Sequence, residues 1–241
     1  MEETYNLQAI ILKRQPFREV DLKITIYTKE KGKIDLVARG GKKFSSKLAS
    51  HIEPLNLVNV MAIRGKIFDY VGSAVCQNSF LKIKNDLEKL ESAGKAINIF
   101  NKLIKEEERE DSFLFFSILK NYLELVSEEN LDNNLFYYFF ILKLLSGLGY
   151  KPELYNCVEC SNKITLENNY FSYLKGGLIC EKCNSDKNKN REALYRVSDD
   201  IIKVLRLAIK EDIKNLTKFN LNNKLKEEAI NIVDNFLKYQ T

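Results

Sequence analysis

The spacing of apolar residues changes once along this chain, near residue 80, and that change limits the folds open to it. Before it, Leu22, Ile24 and Ile26 alternate with Lys23, Thr25 and Tyr27, and Ile34, Leu36 and Ala38 with Lys33, Asp35 and Arg39. A period of two belongs to strands with one buried face. Thr28-Lys-Glu-Lys-Gly32 between the two runs reads as a hairpin turn. Further strands are expected over Tyr5–Leu12, Leu55–Ile63 and Ile67–Ala74, the last two split at Arg64-Gly65-Lys66. Five short strands suggest a small closed barrel of the oligonucleotide/oligosaccharide-binding (OB) type, which commonly offers its second and third strands to a single-stranded ligand.

After residue 80 the spacing becomes helical, with Leu81, Ile83, Leu87, Leu90, Ala93, Ala96, Ile97, Phe100 and Leu103 at intervals near three and four. A second helix is expected from Ser112, read as its N-cap, to about Val126, and a third from about Leu135 to Gly147-Leu-Gly149 and Pro152. Ser198-Asp-Asp200 opens another, and Leu225–Leu237 forms the last. The aromatic run Phe136–Phe140, with Phe113, Phe115 and Phe116, reads as bundle core, and Glu106–Glu110 as a solvated helix end. At 241 residues the chain is expected to divide in two, because single cores stop growing near this size. The expected architecture is therefore α+β: a five-stranded OB-fold domain over 1–80 and an α-helical domain over 81–241.

Charge is distributed unevenly over that plan. Residues 1–80 hold 13 Lys/Arg against 8 Asp/Glu and the remainder 25 against 25, so the net charge of +5 arises in the first third. Arg39, Lys42, Lys43 and Lys47 follow one another around Gly40-Gly41, with no acid between Asp35 and Glu53. Lys23, Lys33 and Arg39 share the strand parity that points away from a barrel interior, and Tyr27 shares it too. A cationic surface of this kind tracks a phosphate backbone, while Tyr27 and Phe44 are candidates for stacking bases. The candidate nucleic-acid residues are thus Lys23, Tyr27, Lys33, Arg39, Lys42, Lys43, Phe44 and Lys47.

Cys157-Val-Glu-Cys160 and Cys180-Glu-Lys-Cys183 are 19 residues apart, the spacing of a four-cysteine zinc ribbon inserted at about 155–185. Four thiolates fill a tetrahedral shell and leave no place for water, so such a Zn2+ is structural. Disulfides or a redox dithiol are the alternatives, and a reducing cytoplasm disfavours both. Cys76 stands apart as a lone thiol at a strand end and reads as a small buried apolar residue.

Little in the sequence suggests bond-breaking chemistry. His51 is the single histidine, beside the basic loop, where it reads as a surface or phosphate-facing residue. Neither a phosphate-binding G-x-x-x-x-G-K-[ST] loop nor a dinucleotide-binding G-x-G-x-x-G occurs. The longest apolar run, Leu135–Leu142, is far short of a membrane span, and no secretory signal is seen, so a cytoplasmic protein without catalytic residues is expected.

In order and spacing, Ala38-Arg-Gly-Gly-Lys-Lys-Phe-Ser-Ser-Lys-Leu-Ala49, Pro54-Leu-Asn-Leu57, Leu145-Ser-Gly-Leu-Gly-Tyr150 with Pro152, and the ribbon with Phe171-Ser172 and Gly176-Gly-Leu-Ile-Cys180 resemble the RecO family of recombination mediators. The resemblance spans residues 5 to about 235 and places the chain in the subset that keeps the four cysteines. It implies an N-terminal OB fold, a helical C-terminal domain, binding of single- and double-stranded DNA, and annealing of complementary strands. It further implies a complex with RecR that helps to load RecA onto strands coated by single-strand-binding protein, contact with that protein's C-terminal tail, and a nucleoid-associated location. A different reading of the same residues is a zinc-ribbon scaffold that recognises an acidic protein or structured RNA.

Overall fold

The computed structural model describes residues 3–105, 111–128, 131–165, 167–185 and 193–240. The acidic run at 106–110 lies outside them. The chain forms two compact units, Met1–Glu129 and Asn130–Thr241.

The first unit is built on a closed barrel of β1 (Thr4–Pro16), β2 (Leu22–Thr28), β3 (Gly32–Ala38), β4 (Leu57–Ile63) and β5 (Tyr70–Asn78). Its strands run in the order β1-β2-β3-β5-β4, closed by the β1–β4 pair, and only β3 and β5 are parallel. This is the OB arrangement, with Leu7, Ala9, Ile11, Ile24, Ile26, Leu36, Val58 and Val60 filling the interior as their alternation requires. Register slips between Ile11 and Lys13 where β1 pairs with β2. Such a bulge bends a strand, and β1 runs on to Pro16 instead of ending at Leu12. The fifth strand starts later than expected because Asp69 is used in the loop before it. Its carbonyl accepts the Val37 N–H at 2.9 Å, and its carboxylate accepts the Gly65 N–H at 3.1 Å.

Among the described residues, three helices complete this unit: α1 (Leu81–Lys84), α2 (Leu87–Leu103) and α3 (Ser112–Val126). The single helix expected over 81–103 is divided, because the Asp86 carboxylate accepts the Lys89 N–H at 3.1 Å and starts a new helix. Ser112 is not the cap of α3. Asp111 holds that position, and the Ser112 hydroxyl donates to the Lys29 carbonyl at 3.0 Å. Phe115 and Phe116 are buried, but Phe113 is exposed, with the Lys29 ammonium 5.4 Å from its ring centroid. Helices α2 and α3 pack against the outside of the barrel strands. Packing therefore groups them with the barrel up to residue 129, although the hydrophobic period changes at 80.

The second unit contains α4 (Asn133–Gly147), β6 (Asn169–Ser172), β7 (Gly177–Ile179), α5 (Glu181–Asn184), β8 (Leu194–Val197), α6 (Asp199–Lys210), a 3-10 turn at Ile213–Lys218 and α7 (Asn223–Gln240). Phe136, Phe139 and Phe140 of α4 are buried as expected, and α4 packs on α6 and α7. Ser198 caps α6 through its side chain. The sheet β7-β6-β8 belongs to the cysteine ribbon, which borrows its core from α7. Phe171 meets Phe236 edge-on with centroids 5.7 Å apart, and Tyr173 stacks on Tyr239 at 5.8 Å.

Candidate nucleic-acid interface and metal centre

Three loops of the first unit come together at one end of the barrel: 17–21, 39–52 and 64–69. Their backbones and side chains are laced. The Gly40 N–H donates to the buried Asp21 carboxylate at 2.8 Å, and the Lys42 N–H to the Val20 carbonyl at 3.0 Å. Gly40 takes a left-handed φ of +64°, which glycine adopts without strain, and a Cβ on Gly41 would sit 3.0 Å from Leu22 Cδ1. The Phe17 and Phe68 rings join the first loop to the third, edge-on at 5.3 Å. Arg18 lies 5.1 Å from the Phe17 centroid, and Arg39 lies 3.7 Å from the Tyr70 centroid.

Phe44 stands fully exposed at the tip of the basic loop, with Lys43 and Lys47 exposed beside it. Arg18, Arg39 and Lys66 are exposed on the same loop cluster, where Glu19 is the only exposed acid. Such a surface has a positive field that little nearby charge cancels, and aromatic rings within it.

The remaining candidates from the sequence behave differently. Lys42 donates its ammonium to the Arg18 and Glu19 carbonyls at 2.6 and 3.2 Å, so it ties the first two loops together. Lys23 pairs with Asp35 at 2.7 Å on the sheet. Lys33 donates to the Asn101 and Ile104 carbonyls at 2.9 and 3.1 Å, where it satisfies the C-terminal end of α2. Tyr27 points out of the barrel but lies wholly buried under α2, edge-on to Phe100 at 4.9 Å, so it offers no face to a base. The sequence reading did not name Phe17, Arg18, Lys66 and Phe68 of the two flanking loops, nor Tyr70 at the start of β5, which this surface also contains; the pairing of aromatic with basic residues there was the available signal. His51 is half-buried, with Nδ1 accepting the Cys76 N–H at 3.2 Å, which fixes the ring in the barrel wall. Cys76 packs against the barrel core, and burial pushes its thiol up.

In the second unit the sulfurs of Cys157, Cys160, Cys180 and Cys183 all lie within 4.8 Å of one another. Cys160 and Cys180 Sγ are 3.8 Å apart, far beyond the roughly 2 Å of a disulfide. A tetrahedral ion bound at about 2.3 Å sets its sulfurs about 3.8 Å apart, so the cluster fits zinc. Burial opposes ionisation of Cys157, but the backbone N–H groups of Cys160, Cys180 and Glu159 outweigh it and hold the thiol down to about 7. Burial, followed by hydrogen bonding among the crowded sulfurs, pushes Cys183 up to about 12. A divalent cation among the four would relieve that crowding. Four thiolates complete a tetrahedral shell, so such an ion would cross-link the two turns rather than activate water.

An OB barrel with a laced basic loop, followed by helices that carry a four-sulfur ribbon, defines a class of two-part proteins with a nucleic-acid type of barrel. Residues 1–80 match the family model "Recombination protein O N terminal", and residues 84–241 match "Recombination protein O C terminal". The DNA repair protein RecO of Thermoanaerobacter sp. is 31% identical over 233 residues, covering 96% of this chain and 90% of the relative. That of Caldanaerobacter subterraneus is 28% identical over 231 residues, covering 96% and 90%, and that of Dehalococcoides mccartyi is 30% identical over 228 residues, covering 93% and 85%. The chain belongs to the RecO family of DNA repair proteins.

Proposed function

We propose that this protein is a DNA-binding recombination mediator that performs no bond-breaking chemistry. It holds single- and double-stranded DNA, anneals complementary strands and, together with RecR, helps to load RecA onto strands coated by single-strand-binding protein, whose C-terminal tail it contacts. The observation that carries this reading is the three-loop surface: exposed Arg18, Arg39, Lys43, Lys47 and Lys66 around Phe17, Phe44 and Phe68. Cations at this density suit phosphates irrespective of sequence, and an exposed ring stacks on an unpaired base, worth about 1–3 kcal/mol each.

In this reading, Lys43 and Phe44 contact DNA while Lys42 and Asp21 hold the loop that presents them. The ribbon carries one structural Zn2+ on Cys157, Cys160, Cys180 and Cys183. Work on strands coated by single-strand-binding protein implies a cytoplasmic location at the nucleoid, and no helix among the described residues is long and apolar enough to cross a membrane. The test is annealing of complementary oligonucleotides by the purified protein. The reading requires acceleration over the spontaneous rate that Lys43→Ala with Phe44→Ala abolishes or strongly reduces; annealing that is not accelerated refutes it.

A further inference from the structure

Beyond residue 80 the sequence charge balances, yet folding sorts it locally. Tyr155 lies in the extended segment between α4 and the first cysteine pair and is half-exposed. The Arg206 guanidinium of α6 sits over its ring, 4.5 Å from the centroid. That guanidinium is fixed, because Nε and Nη2 both donate to the Leu154 carbonyl, at 3.1 and 2.6 Å. The backbone beneath the ring is fixed as well. The Tyr155 N–H donates to Glu153 Oε1 at 2.7 Å, and the Tyr155 carbonyl accepts the Ile164 N–H at 2.8 Å.

Lysines lie close to Tyr155 and Arg206 along the chain and along α6. On α6, Lys203 and Lys210 lie on the Arg206 face about one turn to either side, and Lys151 precedes Tyr155 by four residues; all three lysines are exposed. Two of the acids near these residues are engaged. Glu153 accepts the N–H groups of Tyr155 and Asn156, and Asp200 pairs with Lys203 at 3.0 Å.

We propose that this surface is a second binding site for single-stranded nucleic acid, with Tyr155 as a base-stacking platform and Arg206 and Lys210 facing the backbone. The inference rests on the DNA-binding reading above and extends it: annealing brings two strands together, and this surface belongs to the unit that does not carry the barrel loops. A ring immobilised by a cation before binding favours a base over an acidic peptide, because a planar base gains from the stacked face and a carboxylate does not.

The chain contains no tryptophan, so Tyr155→Trp installs a single fluorescent reporter at the site. Oligothymidylate is expected to quench its emission saturably, with reversal by salt. In a Lys43→Ala/Phe44→Ala background, Tyr155→Ala is expected to weaken the remaining binding about five-fold or more, with bound metal unchanged as the check on folding. Photo-crosslinking of the unaltered protein to an iodouracil-substituted strand, read by mass spectrometry, should mark Tyr155 without any substitution. Strand binding seen by anisotropy, with neither quenching nor a Tyr155 crosslink, overturns this site and leaves the barrel loops standing. Absence of any strand binding overturns both. Quenching by oligoglutamate at lower concentration than oligothymidylate of equal charge also overturns it, and assigns the surface to an acidic protein partner.

Discussion

The buried carboxylate of Asp21 accepts the amide hydrogen of Gly40 at 2.8 Å, so the loop between β1 and β2 holds the start of the basic loop in place. Asp21 carries no exposed charge to offer DNA. In the proposed DNA-binding reading, its effect is exerted through the geometry of Gly40 and, one step on, of Lys42 and Lys43.

Asp21→Ala leaves a half-buried N–H without its acceptor and should cost about 1 kcal/mol in urea unfolding. The same substitution should weaken single-strand affinity although it removes a negative charge. Asp21→Asn keeps an acceptor oxygen and should retain most of both. Tighter binding by Asp21→Ala, the outcome expected if only net charge mattered, would remove Asp21 from this positioning role.

Lys33 and Lys43 are both lysines of the basic first third, and they should separate cleanly. Lys33→Ala frees two carbonyls at the end of α2 and should lower stability by about 1–2 kcal/mol while leaving the salt dependence of DNA binding unchanged. Lys43→Ala should do the reverse. Thermal melts paired with salt titrations distinguish the two.

The barrel with its five strands and the cysteine cluster were legible in the sequence because each rests on local rules. Period-two alternation located the five barrel strands to within a few residues but not the three short strands of the ribbon, and the spacing of two Cys-x-x-Cys turns located the sulfurs now found within 4.8 Å of one another. Solvent exposure was less legible. Parity told that Tyr27 and Lys33 point out of the barrel, but α2 and α3 then cover that wall, and strand alternation carries no information about what packs on its outer face. The Phe17–Phe68 contact joins loops distant in sequence through barrel closure, which no local pattern encodes. Asp86 shows the same limit on a smaller scale, since a cap inside a continuous apolar pattern divides one expected helix into two.

The ribbon should bind one zinc ion per chain, released stoichiometrically when the thiols are titrated with an organomercurial. Cys157→Ser, at the most buried of the four sulfurs, should abolish tight binding and lower the unfolding temperature of the second unit. Phe236→Ala, which removes a ring packed on Phe171, should cost about 3–5 kcal/mol and loosen the metal without touching a sulfur. Full zinc retention in Cys157→Ser would contradict the four-sulfur site.

Asp132 caps α4 and pairs with Lys226 at 3.0 Å. Burial works against its ionisation, but the Leu135 N–H and the Lys226 ammonium prevail and hold the carboxyl below its usual range. A depressed value in the folded state stabilises fully above the unfolded value, near 4, and the contribution is lost as pH falls through the folded one. Asp132→Ala should therefore cost about 1 kcal/mol at neutral pH. The gap between variant and parent should narrow in acid denaturation below about pH 4, and a gap independent of pH would show that the charge contributes nothing.

Salt dependence of single-strand binding tests most directly whether the barrel loops grip phosphates. With Arg18, Arg39, Lys43, Lys47 and Lys66 each neutralising one phosphate, the logarithm of affinity should fall against the logarithm of salt with a slope of about −3.5. Lys43→Ala with Lys47→Ala should reduce that slope to about −2. A slope near zero, or one that both substitutions leave unchanged, would contradict a phosphate grip by these loops.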